Sequence, residues 1–364
     1  MNPLIKDIRH NPLLWLLAFV PVLFACDQLK PEAHTLLFVL SVLAIAPLTV
    51  LLSHATESVA AKTGDAVGGL LNATLGNLAE LIIALAALRA GQYMLVKASM
   101  AGAIVTNTLF ILGASFLFGG LKYHVQEYNR VSARLQAGLL FLATVALLIP
   151  SAVSQADSVA GAAFTQKLSV GLAVLLIVAY GLGMLFSLKT HRELFASVEH
   201  AEAGEVPWPI GLALATLAGV TVLVALVSEV FVESVQKAAE AFGMTPAFVG
   251  FIIVALVGGV SAMPTAFSGA RKNRLDLSVG IALGSASQIA LFVAPVLVLV
   301  SYFIGPTPMD LRFWPGAVVM ILIATLTASL VTNSARSMWF VGVLVLMVYL
   351  IFAMTLYLLP PRGQ

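Results

Sequence analysis

The stretch of sequence that decides the fold is residues 68–88, which read GGLLNATLGNLAELIIALAAL. It is long enough to cross the hydrocarbon core of a bilayer, which takes about 20 mainly apolar residues. One carboxylate, Glu80, lies near its middle. An ionised carboxylate at the centre of a membrane helix costs roughly 2.5–3.5 kcal/mol. We therefore expect Glu80 to face an aqueous cavity, a proton or an ion, and a protonated Glu80 paired inside the helix bundle is the alternative.

The same stretch supplies neutral oxygen atoms around Glu80. Asn77 lies three positions before Glu80 and so shares its face of the helix. The glycines permit local unwinding, which frees backbone carbonyl groups. Ca²⁺ is bound by roughly six to eight oxygens from carboxylates, carbonyls and water, and this segment offers those types. Small-residue helix packing explains the glycines but leaves Glu80 unexplained. The other contributing residues are Gly68, Gly69, Asn72, Thr74 and Gly76.

The composition of the whole chain indicates a lipid environment. Of 364 residues, 60% are hydrophobic and only 10% are charged, whereas soluble domains are about 25% charged. The net charge of +2 favours no nucleic-acid partner. The single cysteine, Cys26, excludes a disulfide within the chain. We therefore predict an all-α polytopic membrane protein whose partners are the lipid bilayer and small inorganic cations, with its oligomeric state left open.

Eleven stretches are apolar and long enough to span a membrane. The charges at the N-terminus, Lys6 and Arg9, followed by an apolar run and Cys26, also fit a signal peptide, but a first membrane helix is the favoured interpretation. Most Lys and Arg residues fall on one side if the N-terminus is cytoplasmic. We therefore expect an integral protein of the bacterial inner (plasma) membrane with that orientation. The predicted spans are 12–28, 35–53, 66–88, 97–118, 132–152, 168–188, 208–230, 246–269, 278–303, 313–332 and 337–359.

An internal repeat organises these spans. Residues 76–110, GNLAELIIALAALRAGQYMLVKASMAGAIVTNTLF, align without a gap with residues 258–292, GGVSAMPTAFSGARKNRLDLSVGIALGSASQIALF. Each copy occupies the second and third spans of a five-helix half, and an odd number of spans per half inverts the second half. Such inverted repeats often carry a site at the bilayer midplane. We predict an N-terminal helix in 1–33, a first repeat in 34–188, an acidic linker in 189–207 and a second, inverted repeat in 208–360.

Further polar residues lie inside or near the spans. The candidates for a cation and proton site are Glu80 as the metal ligand, with Asn77, Asn107, Ser287 and Gln288 as neutral ligands. Hydrogen bonding between helices is the alternative role for these amides and hydroxyls. Two acids near span ends, Glu57 and Glu229, are candidates for a cavity mouth, and ordinary interfacial charges are the alternative.

Residues 55–91, ATESVAAKTGDAVGGLLNATLGNLAELIIALAALRAG, together with VKASMAGAIVTNTLFILGASFLFGG, resemble the first half of the calcium/cation–proton exchanger family, within the calcium–cation antiporter superfamily. KNRLDLSVGIALGSASQIALFVAPVLVL resembles its second half. The likeness covers nearly the whole chain. It implies eleven spans, inverted repeats, an acidic linker after the sixth span, and two acidic motifs that face each other at the ion site.

The second acidic motif of that family is degenerate in this chain. The family pattern is like GNAAEH, and here Gly259 replaces Asn, Ala262 replaces Glu and Met263 replaces His. Two facing carboxylates neutralise one divalent ion or hold two protons, whereas Glu80 alone neutralises half the charge of Ca²⁺. We therefore expect weaker divalent binding unless another acid, such as Glu229, reaches the site.

The sequence favours a secondary active cation/proton antiporter, with Ca²⁺ and H⁺ as the transported ions and no tightly bound cofactor. A monovalent cation (Na⁺ or K⁺)/H⁺ antiporter and a transport-impaired regulatory membrane protein are the alternatives. An enzyme is disfavoured because the sequence suggests no Ser–His–Asp or Cys–His arrangement. A P-loop is absent from the sequence, which leaves an ion gradient as the source of energy.

Overall fold

The structure, a computed structural model, describes residues 3–63, 65–153, 159–191 and 207–359. Helices make up almost all of it, and two short strands complete it. The strands are β1 (Val125–Glu127) and β2 (Arg336–Met338). The helices are α1 (Pro3–His10), α2 (Pro12–Leu29), α3 (His34–Lys62), α4 (Asp65–Leu75), α5 (Leu78–Arg89), α6 (Tyr93–Tyr123), α7 (Arg130–Val153), α8 (Gly161–Thr190), α9 (Ile210–Ala241), α10 (Pro246–Gly259), α11 (Ala262–Arg271), α12 (Leu275–Ile304), α13 (Pro315–Thr332) and α14 (Trp339–Leu358).

The predicted class of fold is confirmed, but the predicted number of spans is not. In the described part of the chain, 9 helices are long and apolar enough to cross a membrane, or up to 10 if the bent pair of α10 and α11 counts as one span. That pair bends by 64°. The third predicted span, 66–88, falls on α4 and α5, which have 11 and 12 residues. Each is too short to cross a bilayer alone, so the count of eleven is not confirmed.

The two copies of the internal repeat share their local structure. Helix α5 ends at Arg89 and helix α11 ends at Arg271, the two arginines that the alignment pairs. Helices α6 and α12 each contain a π-helical segment, Thr106–Ile111 and Ile289–Val293, at matching places in the two copies. Because π-helical turns are rare in proteins and frequent at functional sites, their agreement supports the repeat and directs attention to these two turns.

Helices α6 and α12 form the centre of the molecule. In their most apolar windows, 83% of residues in α6 and 61% in α12 are buried, against 17% in α8 and 22% in α9. The outer helices direct apolar side chains such as Leu182 and Val222 away from the protein, as lipid-facing surfaces do. The central helices place their polar residues where the protein itself must provide hydrogen-bond partners.

A small antiparallel sheet joins two loops that are distant in sequence. Strand β1 follows α6 and strand β2 precedes α14, and Gln126 pairs with Ser337 in their register. An ion pair between Glu127 Oε1 and Arg336 Nη2, 2.8 Å apart, lies beside it. The sequence interpretation had no strands, so this sheet is an addition to the predicted all-α class.

The N-terminal segment packs on α3 and near the start of α9. Asp7 of α1 accepts a hydrogen bond from Trp208 Nε1 at 2.8 Å, and Trp208, just before α9, is 2% exposed. Helix α3 packs along α9, and α2 packs on α3. Most of the predicted acidic linker, residues 192–206, lies outside the described residues.

Candidate functional site

The membrane segment that carries Glu80 is interrupted just before it. Helix α4 ends at Leu75 and α5 begins at Leu78, and the Gly76 amide donates to the Asn72 carbonyl at 2.8 Å. A Cβ atom on Gly76 would lie 2.7 Å from Asn72 O and 3.4 Å from Gln288 Oε1. Glycine is therefore favoured at this break because a Cβ atom would collide with the Asn72 carbonyl oxygen, and Gln288 of the second copy lies beside it.

Glu80 lies in the first turn of α5, against the second copy of the repeat. A Cβ atom on Gly258 would lie 2.9 Å from Glu80 Cγ and 3.2 Å from Glu80 Oε1. The amino end of a helix favours negative charge over its first turn, so this position supports a carboxylate. Glu80 thus occupies the contact between the two broken segments, α4–α5 and α10–α11.

Beside Glu80 is a small cavity of about 20 Å³, which has room for roughly one water molecule or ion. Its wall is largely apolar, and Ser99 adds one hydroxyl. An ionised carboxylate is costly in such surroundings unless a cation lies against it. Residues from both copies line the cavity: Glu80, Ile83, Ala84, Ser99, Met100, Ala103, Val254, Ala255, Ile289 and Val293.

Asn77 connects the break to the second copy through both atoms of its amide. Its Nδ2 donates to Gln288 Oε1, and its Oδ1 accepts from Ser285 Oγ at 2.8 Å. Asn77 is 2% exposed, so these bonds satisfy a polar group that water does not reach. The structure therefore joins two of the predicted residues, Asn77 and Gln288, and adds Ser285. Glu80 lies three positions beyond Asn77, in the first turn of α5.

Two buried amides hold atoms that lack hydrogen-bond partners among the described residues. These atoms are Asn107 Oδ1 and Gln288 Nε2. Asn107 Nδ2 donates to the Ala103 carbonyl at 2.9 Å, and Ala103 lines the Glu80 cavity. A buried acceptor without a donor is unfavourable in the closed protein. Asn107 Oδ1 is thus an oxygen that a cation would satisfy.

Ser287 lies apart from the Asn77 network. Its Oγ donates to the backbone carbonyl of Gln136 in α7 at 3.1 Å. Ser285, two positions earlier, donates the hydrogen bond to Asn77 instead. Gln136 Oε1 is buried and without a described partner, and a Cβ atom on Gly284 would approach it to 3.5 Å.

The two predicted mouth residues lie outside this cluster. Glu229 is half exposed and pairs with Arg89 at 3.2 Å, and Arg89 is about 13 Å along α5 from Glu80 at 1.5 Å per residue. Glu57 is exposed and accepts from Ser53 Oγ at 3.1 Å on its own helix, α3. The structure therefore gives Glu80 neither of these acids as a neighbour.

The degenerate second motif has apolar surroundings. Ala262 and Met263 pack on a hydrophobic cluster that includes Ile111 and Phe116. A Cβ atom on Gly259 would lie 3.5 Å from Met263 Cε and 3.7 Å from Ile111 Cδ1. The place that Glu80 occupies in the first copy is thus taken in the second copy by a methyl group. No group of three or more His, Cys, Asp or Glu residues able to hold a metal ion occurs within the described ranges.

The structure adds three residues to the site residues that the sequence predicts. Gly258 could have been singled out because the alignment pairs it with Gly76, and Ser285 because it lies in the same GSASQ segment as Ser287. Gln136 has no comparable signal, since it lies in a different span and its hydrogen bond with Ser287 is made by its backbone carbonyl. Together, the fold and the site define a polytopic membrane protein whose two related halves meet at a carboxylate and a network of amides.

The chain belongs to the sodium/calcium exchanger protein family, whose sequence model matches residues 33–189 and 212–358. This confirms the family resemblance seen in the sequence. The chain is 38% identical to a Ca²⁺/H⁺ antiporter of Aphanothece halophytica over 359 residues, which cover 95% of this chain and 96% of that protein. It is 40% identical to the Ca²⁺/H⁺ antiporter ChaA of Bacillus subtilis (strain 168) over 327 residues, covering 89% of this chain and 92% of that protein.

Solved structures agree with this assignment. The structure of native YfkE superposes with a TM-score of 0.82 at 36% identity and covers 95% of this chain and 100% of that chain. The crystal structure of the H⁺/Ca²⁺ exchanger CAX superposes with a TM-score of 0.72 at 16% identity, covering 95% of this chain and 91% of that chain. The second likeness concerns the fold alone.

Proposed function

We propose that this chain is a secondary active Ca²⁺/H⁺ antiporter in which Glu80 binds the cation and the proton in competition. The observation that carries the proposal is the position of Glu80, beside a cavity at the contact between the two broken segments. The two bacterial relatives at 38% and 40% identity are named Ca²⁺/H⁺ antiporters, which supports Ca²⁺ as the substrate.

Competition at one carboxylate couples the two fluxes. A proton neutralises Glu80 and a bound cation offsets its negative charge, so either one lowers the cost of holding this carboxylate in a low-dielectric interior. Asn77, Asn107 and Gln288 supply neutral oxygens, and none of these amides titrates. Alternating access then follows from sliding of α3 and α9, which pack along each other, against the remaining helices.

Replacing Glu80 with glutamine tests this proposal directly. Glu80→Gln keeps the shape of the side chain but removes the exchangeable charge, so pH-driven Ca²⁺ uptake into proteoliposomes should fall to the level of empty vesicles. The matched control is Glu127→Gln, which removes an exposed carboxylate far from the site and should leave uptake unchanged. Robust pH-driven uptake by Glu80→Gln would refute the role of Glu80.

A monovalent cation is the second candidate substrate because Ala262 leaves one carboxylate in the cavity. Na⁺ or K⁺ bound to Glu80 makes a neutral complex, as a proton does. Competition measurements discriminate the two substrates: Ca²⁺ should inhibit uptake of labelled Na⁺ only weakly if the site is monovalent. If Ca²⁺ is the substrate, a large excess of Na⁺ or K⁺ should leave Ca²⁺ uptake almost unchanged.

We place the chain in a bacterial plasma membrane, with a cytoplasmic N-terminus and the two halves, 34–188 and 208–360, inverted relative to each other. The excess of Lys and Arg on the side of the N-terminus supports this orientation. Reporter fusions after residues 63 and 245 should lie on opposite sides of the membrane, since they follow the first helix of each half. The same side for both would contradict the inversion.

A further inference from the structure

Glu80 is the one carboxylate that lines the cavity between the two halves in the described part of the chain. Its equivalent in the second copy is Ala262, which packs on an apolar cluster. The other residues that line the cavity carry no titratable group. The predicted amide ligands Asn77 and Gln288, which bond to each other, hold no titratable proton. The site can therefore change its charge by one unit, through Glu80.

Other acids with described side chains have partners or exposure elsewhere. Glu229 pairs with Arg89 and Asp310 with Lys97. Asp276 accepts from the backbone amide of Asn129. The other acids with described side chains are Asp7 with Trp208, Asp27 near the end of α2, Glu32 beside His34, Glu57 with Ser53, Glu127 with Arg336, and Glu233 and Glu240 exposed on α9.

We propose that each transport cycle carries a single proton, on Glu80, so that exchange of Ca²⁺ moves one net positive charge across the membrane. The proposal rests on the proposed function and specifies its coupling. When Glu80 is protonated the site is neutral, and when the ionised Glu80 holds Ca²⁺ the site keeps one positive charge. The proton leaves the Glu80 carboxyl as the cation binds, and it returns to the same oxygen after the cation is released.

This coupling makes the membrane potential a driving force for Ca²⁺. Moving one elementary charge through 100 mV is worth about 2.3 kcal/mol, and about 1.4 kcal/mol corresponds to tenfold in an equilibrium ratio. A potential of about 60 mV should therefore change the Ca²⁺ ratio across the membrane about tenfold. With a monovalent cation the same site would exchange without net charge movement, and the potential would have no effect.

The experiment measures the Ca²⁺ ratio at which net flux stops in proteoliposomes of the full chain. In the first arm the potential is held at zero with valinomycin and equal K⁺, and a pH gradient is imposed. One proton per cycle predicts about a tenfold ratio for each pH unit, whereas two protons predict about a hundredfold ratio. In the second arm the pH is equal and valinomycin with a K⁺ gradient sets an inside-negative potential. We expect about tenfold accumulation per 60 mV, and vesicles with the same K⁺ gradient but no valinomycin serve as the control.

Restoring the missing acid provides a second measurement. In Ala262→Glu a second carboxyl can carry a second proton, so the ratio should rise to about a hundredfold per pH unit and the response to potential should disappear. If Ala262→Glu does not fold, the measurement on the unaltered chain still distinguishes one proton per cycle from two. A hundredfold ratio per pH unit and no response to potential in the unaltered chain would overturn one-proton coupling while leaving antiport intact. An absence of any cation flux would refute the proposed function and this inference together.

Discussion

Gly258 is the residue of the second copy that contacts the Glu80 side chain, and Gly258→Ala should weaken cation binding. The added Cβ atom would lie 2.9 Å from Glu80 Cγ and 3.3 Å from Glu80 Cδ, whereas carbon atoms in contact prefer about 3.5–4.0 Å. Glu80 must then shift by roughly 0.6 Å or more. Overpacking of this kind costs about 1–3 kcal/mol. If the strain falls on the cation-bound state, the half-saturating concentration of Ca²⁺ rises about 5- to 150-fold.

The neighbouring glycine is a matched control for this prediction. Both Gly258 and Gly259 are buried near the end of α10, so both alanine variants gain similar helix propensity. The Cβ atom of Gly259→Ala would lie 3.5 Å from Met263 Cε, which is an ordinary contact. The assay is the Ca²⁺ dependence of initial uptake into proteoliposomes at a constant pH gradient. An unchanged half-saturating concentration in Gly258→Ala, or an equal rise in Gly259→Ala, would refute the reasoning.

Two further predictions concern hydrogen bonds and ion pairs. Ser285→Ala should lower the affinity for the cation more than Ser287→Ala does, because only Ser285 donates a hydrogen bond to Asn77. Equal losses of affinity in uptake titrations would refute a role for the bond between Ser285 and Asn77. Lys97→Met should lower the melting temperature in detergent, because it leaves Asp310, whose side chain is 29% exposed, without its ion pair. Hydrogen bonds to charged groups contribute about 1.5–3 kcal/mol to stability. Lys97→Arg keeps the positive charge and should restore part of the lost stability. An unchanged melting temperature in Lys97→Met would show that this ion pair does not stabilise the protein.

The sequence predicted most spans closely because the thickness of the bilayer sets their length. Predicted spans such as 97–118 and 278–303 fall inside α6 and α12. Both apolar content and the charges between spans are local properties of the sequence, so they can be read without the fold. The bend of 64° between α10 and α11 and the division of the third span into α4 and α5 could not be read in this way, since an apolar run looks the same whether the helix is straight or broken.

Contacts between distant segments escaped the sequence for a related reason. The pairing of β1 with β2 joins residues near 126 and 337, and neither strand alone carries enough alternation to predict a sheet. The choice of Ser285 over Ser287 as the partner of Asn77 depends on the rotation of α12. Because Ser287 bonds to Gln136 of α7 instead, the difference between the two serines depends on how α12 packs between its neighbours.

By itself, the sequence determined that this protein lies in a membrane and that its halves are related, and it predicted Glu80 as the acid of the ion site. These conclusions follow from the cost of placing charge and apolar surface in the wrong solvent. Only the tertiary structure decided which groups meet Glu80: Gly258 and an apolar cavity wall, with Glu229 paired elsewhere. The physical reason is that helix packing decides which groups lie next to a buried charge. The distance between residues far apart in the sequence cannot be read from their order in the chain.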